Sequence, residues 1–308
     1  MAVQEDQGLE HKLTGKCFPG ILQLDKGQAI DESQLSPLID FVNQRHDCAD
    51  FRLICLIKAY FAYSNLLSPQ TLDSLKNCIL NFKYSMAEPG EDGMCYWSEN
   101  HQILFAACEY LAGHLFTNEL FTNSGQRGSK KAERAAELIA NWLEQRMLYG
   151  FSEWHSNTYY EEDIAPLCVL VDHAPDDAIR KRASIILDLL FLDMALHSFQ
   201  GTFCPASGRC YQDQKIHPDR ADVADILTHA FGWQKTPKEN FDYSRLSALF
   251  LICKNYRVPR VIVEIARHVP ANPLEIRDSM GLNLKEIYRE FPNDSKNQQA
   301  TEKRGLFL

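Results

Sequence analysis

Apolar residues recur at helical spacing through most of this chain and almost nowhere alternate as a strand requires. Leu53, Ile54, Ile57 and Phe61 mark a helix over 50–63, and Ile103, Leu104, Ala107, Leu111 and Leu115 mark another over 99–116. Ile139, Trp142, Leu143 and Met147 do the same for 130–148. Start signals agree with the periodicity. Ser36-Pro37 and Ser68-Pro69 each place a proline in the first turn behind a serine cap, the second opening a helix to about 82. Thr158 and Glu161 stand at capping-box spacing and open a helix to about 172. Pro175-Asp176-Asp177 opens the longest, to about 199, and shorter helical stretches follow at 220–230, 243–256 and 259–268. The expected fold is all-α, with about ten helices in repeated hairpins. Residues 1–33 read as a polar, mobile lead-in, 34–292 as the helical-hairpin domain and 293–308 as a polar tail.

The polar punctuation is more informative than the helices. Trp97-Ser98-Glu99-Asn100-His101 returns 54 residues later as Phe151-Ser152-Glu153-Trp154-His155, the shared pattern being aromatic-Ser-Glu-x-His. A third loop, 199–211, is again aromatic and Gly-rich and adds Arg209 and Tyr211. Equal spacing of such loops between helical hairpins predicts that they meet at one end of the fold. Ser98 and Glu99 are explained by helix capping and by the dipole. The crowding of Trp97, Asn100 and His101 around them is not, nor is the run Trp154, His155, Asn157, Tyr159 and Tyr160. Aromatic faces beside ionisable groups in loops are characteristic of binding surfaces.

Composition narrows the possibilities. The chain has 308 residues, 45% of them apolar, and a net charge of −9 with no long basic run. Nucleic acid is therefore not an expected partner, because phosphate binding needs a concentrated basic face. No secretory leader is visible, and the most apolar stretch, 185–196, is broken by Asp188 and Asp193. No membrane span is expected, and the chain reads as cytosolic. Its ten cysteines are scattered without a CxxC pair and are expected to be reduced, several of them in apolar helical phases.

No metal or other cofactor is expected. The two Glu-x-His pairs place residues two apart, which diverge on a helix, and there is no HExxH. The nucleophile elbow GxSxG and the phosphate cradle GxxxxGK are also absent.

The hairpin spacing, with Asn100-His101 at the mouth end of a helix behind an aromatic loop, resembles the α/α-toroid carbohydrate-active proteins, the six-hairpin glycosidases and the toroid polysaccharide lyases among them. The lyase motif carries a second Asn where this chain has Glu99. The resemblance implies β-elimination at a uronic acid. Asn100 and Arg209 would stabilise the developing enolate-like charge, His101 or His155 would be the base, and Tyr159 or Tyr160 would protonate the leaving oxygen. Trp97, Phe151, Trp154, Asn157 and Tyr211 would line the sugar site. A glycoside hydrolase using Glu99 and Glu153 as paired carboxylates is the alternative. A non-catalytic helical-repeat scaffold that binds a peptide or protein is the other. Six complete hairpins would need more than the roughly 235 residues between Ser36 and His268, so a partial or open ring is expected.

Overall fold

Periodicity becomes twelve α-helices in the computed structural model, which describes residues 15–233, 241–272 and 274–278. They are α1 (Ile21–Asp25), α2 (Ser36–Asn43), α3 (Ala49–Tyr63), α4 (Pro69–Asn81), α5 (Glu99–Leu115) and α6 (Gly128–Tyr149). Then follow α7 (Tyr160–His173), α8 (Asp177–Leu196), α9 (Gln212–Ile216), α10 (Ala224–Phe231), α11 (Ser247–Leu251) and α12 (Arg260–Arg267). The fold is all-α. Its only strands among the described residues form two minimal antiparallel hairpins, β1 (Leu120–Phe121) with β2 (Gln126–Arg127) and β3 (Ser198–Phe199) with β4 (Thr202–Phe203). No helix among the described residues is long and apolar enough to cross a membrane.

Two kinds of helix build the core. Helices α3, α5 and α7 are buried almost all round and pack on one another. Helices α4, α6 and α8 are amphipathic and flank them: α6 buries Ala132, Ala135, Ile139, Trp142 and Leu143 at helical spacing and leaves its other face to water. The tightest pair is α5 with α6. A Cβ on Gly113 would stand 2.6 Å from the Ala132 amide nitrogen, and one on Gly128 2.1 Å from the Phe116 carbonyl oxygen, so only glycine permits this approach.

Two of the start signals hold, while Ser36 falls inside its helix without capping it and Ser98 stands at the N-cap of α5 with no side-chain cap bond. Ser68 accepts from the Thr71 amide and Asp176 from the Ala178 amide. The capping box at Thr158 does not form. The Thr158 hydroxyl bonds Gln214, the Glu161 carboxylate accepts from the Ser247 amide at 2.7 Å, and it is the Ser156 hydroxyl that serves the Tyr159 amide. The lead-in also needs correcting from residue 15 onward. Cys17, Phe18, Ile21 and Leu24 are core residues, and the Cys17 amide donates to the Ser244 carbonyl at 2.6 Å. Residues 1–14 and the polar tail 293–308 lie outside the described residues.

A buried ion pair ties the inner helices to the C-terminal turns. Lys58 Nζ of α3 lies 2.8 Å from Asp172 Oδ2 of α7, and Asp172 also accepts from the amides of Lys254 and Asn255. Burial and the neighbouring Lys58 charge push the His173 imidazole down to about 4, so it is neutral and accepts from Lys58 Nζ at 2.8 Å. Replacing Lys58 by Met leaves the Asp172 charge without its cation and is expected to lower stability by about 3 kcal/mol in chemical denaturation.

Candidate functional site

The three aromatic loops do meet, and the near-repeat explains how. Its two copies interlock. Glu99, in the first turn of α5, accepts from both the Ser152 amide and the Ser152 hydroxyl at 2.6 Å. One residue on, Asn100 Nδ2 donates to both oxygens of Glu153 at 2.8 Å. The third loop docks on the second through Gly208, whose amide donates to the Trp154 carbonyl at 2.8 Å. A Cβ at Gly208 would lie only 3.2 Å from Trp154 Cβ. Ser207 and Ser156 then bond the His155 and Arg209 carbonyls across the same seam.

Identical sequence patterns receive opposite electrostatic roles. Glu99 is buried, and its carboxylate is paired with Arg146 of α6, which also places its guanidinium 5.4 Å from the Trp142 ring. Glu153 sits half-buried at the mouth. Its carboxylate, that of Glu99 and that of Asp163 in α7 have oxygens within 4.8 Å of one another. One guanidinium cannot neutralise three carboxylates at this distance. Burial, reinforced by the charges of Glu99 and Glu153, raises Asp163 well above the usual carboxylate range. Both its oxygens are buried without a hydrogen-bond partner among the described residues. Burial and the Glu99 charge together push Glu153 up to about 7. An amide rotation at Asn100 offers Nδ2 to ionised Glu153 or Oδ1 to the protonated acid, so this contact serves either state.

The histidines part company as well. Burial alone would lower His101, but Asp50 Oδ2 at 2.7 Å from its Nδ1 outweighs this and raises it, favouring an imidazolium stacked on Phe51. The charge of that ring acts on Glu153. His155 turns the other way. Its Nδ1 lies 3.2 Å from Asp193 Oδ2 of α8, and its ring packs 4.1 Å from that of His197.

Of the remaining expected site residues, Trp97, Trp154, Tyr159, Arg209 and Tyr211 are at the surface, with Trp97 45% and Tyr211 49% exposed. Tyr159 and Tyr211 share a hydroxyl–hydroxyl bond of 3.0 Å, and the Arg209 guanidinium lies 5.2 Å and 5.9 Å from their ring centres. Burial raises the Tyr159 phenol further above neutrality, which keeps its proton in place. Phe151, Asn157 and Tyr160 go inside. Phe151 packs between Trp142 and Tyr160, the Asn157 carbonyl accepts from the Val223 amide, and the Tyr160 hydroxyl accepts from the His155 amide. Asp50, Arg146 and Asp163 had no place in the sequence reading of the site. Asp50 and Asp163 are first-turn acids, which the helix dipole explains without a site, and Arg146 had no local signal.

Among the described residues, four groups bring ligand-type atoms close enough for a cation. Glu99, Glu153 and Asp163 already have Arg146, and Glu161, Glu162 and Asp222 already have Lys16. In the set Asp47, Cys48 and His101, burial pushes the Cys48 thiol up, which opposes the thiolate a metal needs. The fourth set is His155, Asp193, His197 and Asp278.

The raised Glu153 acid makes a stability prediction. The folded chain keeps this proton until about pH 7, whereas an unfolded glutamate releases it near 4.5. Between those values the native state binds more protons, so stability falls as pH rises. Wild type should lose on the order of 3 kcal/mol relative to Glu153→Gln between about pH 5 and about pH 8, read from urea midpoints across pH. No protein-family model, curated protein or solved structure matches the chain, so any function assigned to this mouth has to come from its geometry.

Proposed function

We propose that the mouth formed by the three aromatic loops is a carbohydrate-directed acid–base site that cleaves a uronate-containing chain by β-elimination. What carries this reading is Glu153, a carboxyl group poised near pH 7 at a partly exposed position. The Arg209 charge acts on it, its own charge acts on Tyr159, and the loops that carry these residues also present the aromatic faces of Trp97 and Tyr211 to solvent. Glu153 takes the place that an imidazole would hold as base, since Asp50 raises His101 and favours its charged form, and His155 faces Asp193.

Arg209 pairs with the uronate carboxylate, and ionised Glu153 removes the proton from the carbon beside it. The C–H electron pair becomes the new double bond while the glycosidic C–O bond breaks. Tyr159 donates its proton to the departing oxygen and recovers one through Tyr211 and solvent. The hydrolase alternative fares worse, because it requires a second accessible carboxylate. Glu99 is held by Arg146 and Ser152, and Asp163 is fully buried.

A panel of uronic-acid polysaccharides and neutral glycans, read by ultraviolet absorbance of the unsaturated product alongside reducing ends, tests this. The expected outcome is elimination that rises with pH through about 7 and falls at least about 100-fold in Glu153→Gln and in Tyr159→Phe. Reducing ends without unsaturation would point to hydrolysis. Silence across the panel would favour a scaffold that binds a peptide through Trp97 and Tyr211.

A further inference from the structure

We propose that His155, His197 and Asp278 bind a divalent first-row metal ion of the zinc class, with Asp193 holding both imidazoles in place. These residues come from the second aromatic loop, the end of α8 and the segment 274–278. The case begins with Asp193. Its two oxygens each lie 3.2 Å from one Nδ1, Oδ2 from that of His155 and Oδ1 from that of His197. His197 Nδ1 is also 2.9 Å from the Asp193 backbone carbonyl oxygen, an atom that only accepts, so Nδ1 of this ring carries hydrogen. Both Nε2 atoms are thereby turned towards Asp278 Oδ2, at 3.1 Å from His197 and 3.9 Å from His155.

Two imidazole nitrogens and a carboxylate oxygen thus converge on one point, and one divalent cation satisfies all three. The spacing suits it: ligands about 2.0–2.1 Å from a tetrahedral zinc stand about 3.3 Å apart, between the two observed separations. Imidazole nitrogen with one carboxylate selects zinc or a neighbouring transition ion over calcium or magnesium. A carboxylate or backbone carbonyl on the far nitrogen of a ligating imidazole is the usual outer support of such sites, and Asp193 supplies the first to His155 and the second to His197. Asp278, with 35% of its side chain exposed, leaves a path from solvent and a position for water. His155 is held in this arrangement at φ 46°, in the left-handed region. No local motif announces the set, because its members are far apart in sequence. The proposal does not rest on the carbohydrate reading.

The test uses the full chain, stripped with a chelator, incubated with zinc chloride, freed of excess metal by gel filtration and assayed for bound zinc. The expected result is about one zinc per chain in wild type, loss of stoichiometric zinc in His197→Gln and Asp278→Asn, and 10–100-fold weaker affinity in Asp193→Asn. Circular dichroism checks each fold. Should His197→Gln fail to fold, Asp278→Asn decides, because that residue lies in a segment outside the helices and strands. The cysteine control is Cys204→Ser with Cys210→Ser, since these are the less buried thiols of the third loop, and it should retain zinc. Absence of zinc from wild type overturns the proposal. So does zinc retained in Asp278→Asn, or zinc lost in the cysteine control.

Discussion

Three consecutive carboxylates begin a buried helix, and most of the surrounding architecture is arranged to neutralise them. Glu161, Glu162 and Asp163 open α7 with at most 1% of their surface exposed. Successive helical positions point about 100° apart, so no single cation can serve all three. Glu161 takes the Ser247 amide and faces Arg245 from the C-terminal side. Glu162, pushed up to about 8 chiefly by burial, takes Lys16 from the start of the described chain. Asp163 turns inward to the carboxylates of Glu99 and Glu153, where the one guanidinium belongs to Arg146 of α6. Segments from both ends of the chain and from its middle are drawn to one helix terminus because that is where the uncompensated charge lies.

The chemistry of the mouth follows from the same constraint. Three carboxylates crowd together with one ion-paired guanidinium between them, so burial and mutual repulsion favour keeping protons there, and the group nearest solvent is the one able to exchange its proton. Glu153 occupies that position, and its neutral-range acidity follows from burial and the Glu99 charge. Asn100 adds tolerance, since its amide accommodates Glu153 with or without the proton. Behind this face Asp50 meets the His101 ring and raises it, favouring its charged form.

Helix content was legible because it depends on spacing along the chain, and Ser68 and Asp176 cap as their local sequence says. The meeting of the three loops was legible too, from their equal spacing. Local signals failed where a tertiary partner outbid a local one. Thr158 gave its hydroxyl to Gln214, and Glu161 gave its carboxylate to the Ser247 amide, 86 residues away, so the capping box had no members left. The same limit applies inside the near-repeat. Glu99 and Glu153 are indistinguishable as aromatic-Ser-Glu-x-His, yet Arg146, 47 residues from Glu99, makes one an ion-pair partner, while the other is raised towards neutrality. His101 and His155 diverge for the same reason, one meeting Asp50 and the other Asp193.

The docking of the chain's first described segment bears on how the protein is made. Lys16 finds its carboxylates 145 and 146 residues downstream, and Cys17 finds its backbone partner only when Ser244 has been added. At ribosomal speeds of about 5–20 residues per second, that is roughly 10–50 s during which Phe18, Ile21 and Leu24 have no completed surface to cover them. A part of the core that is synthesised early is thus sealed late, and a short apolar segment beside a lysine stays uncovered while the segments that complete it are made.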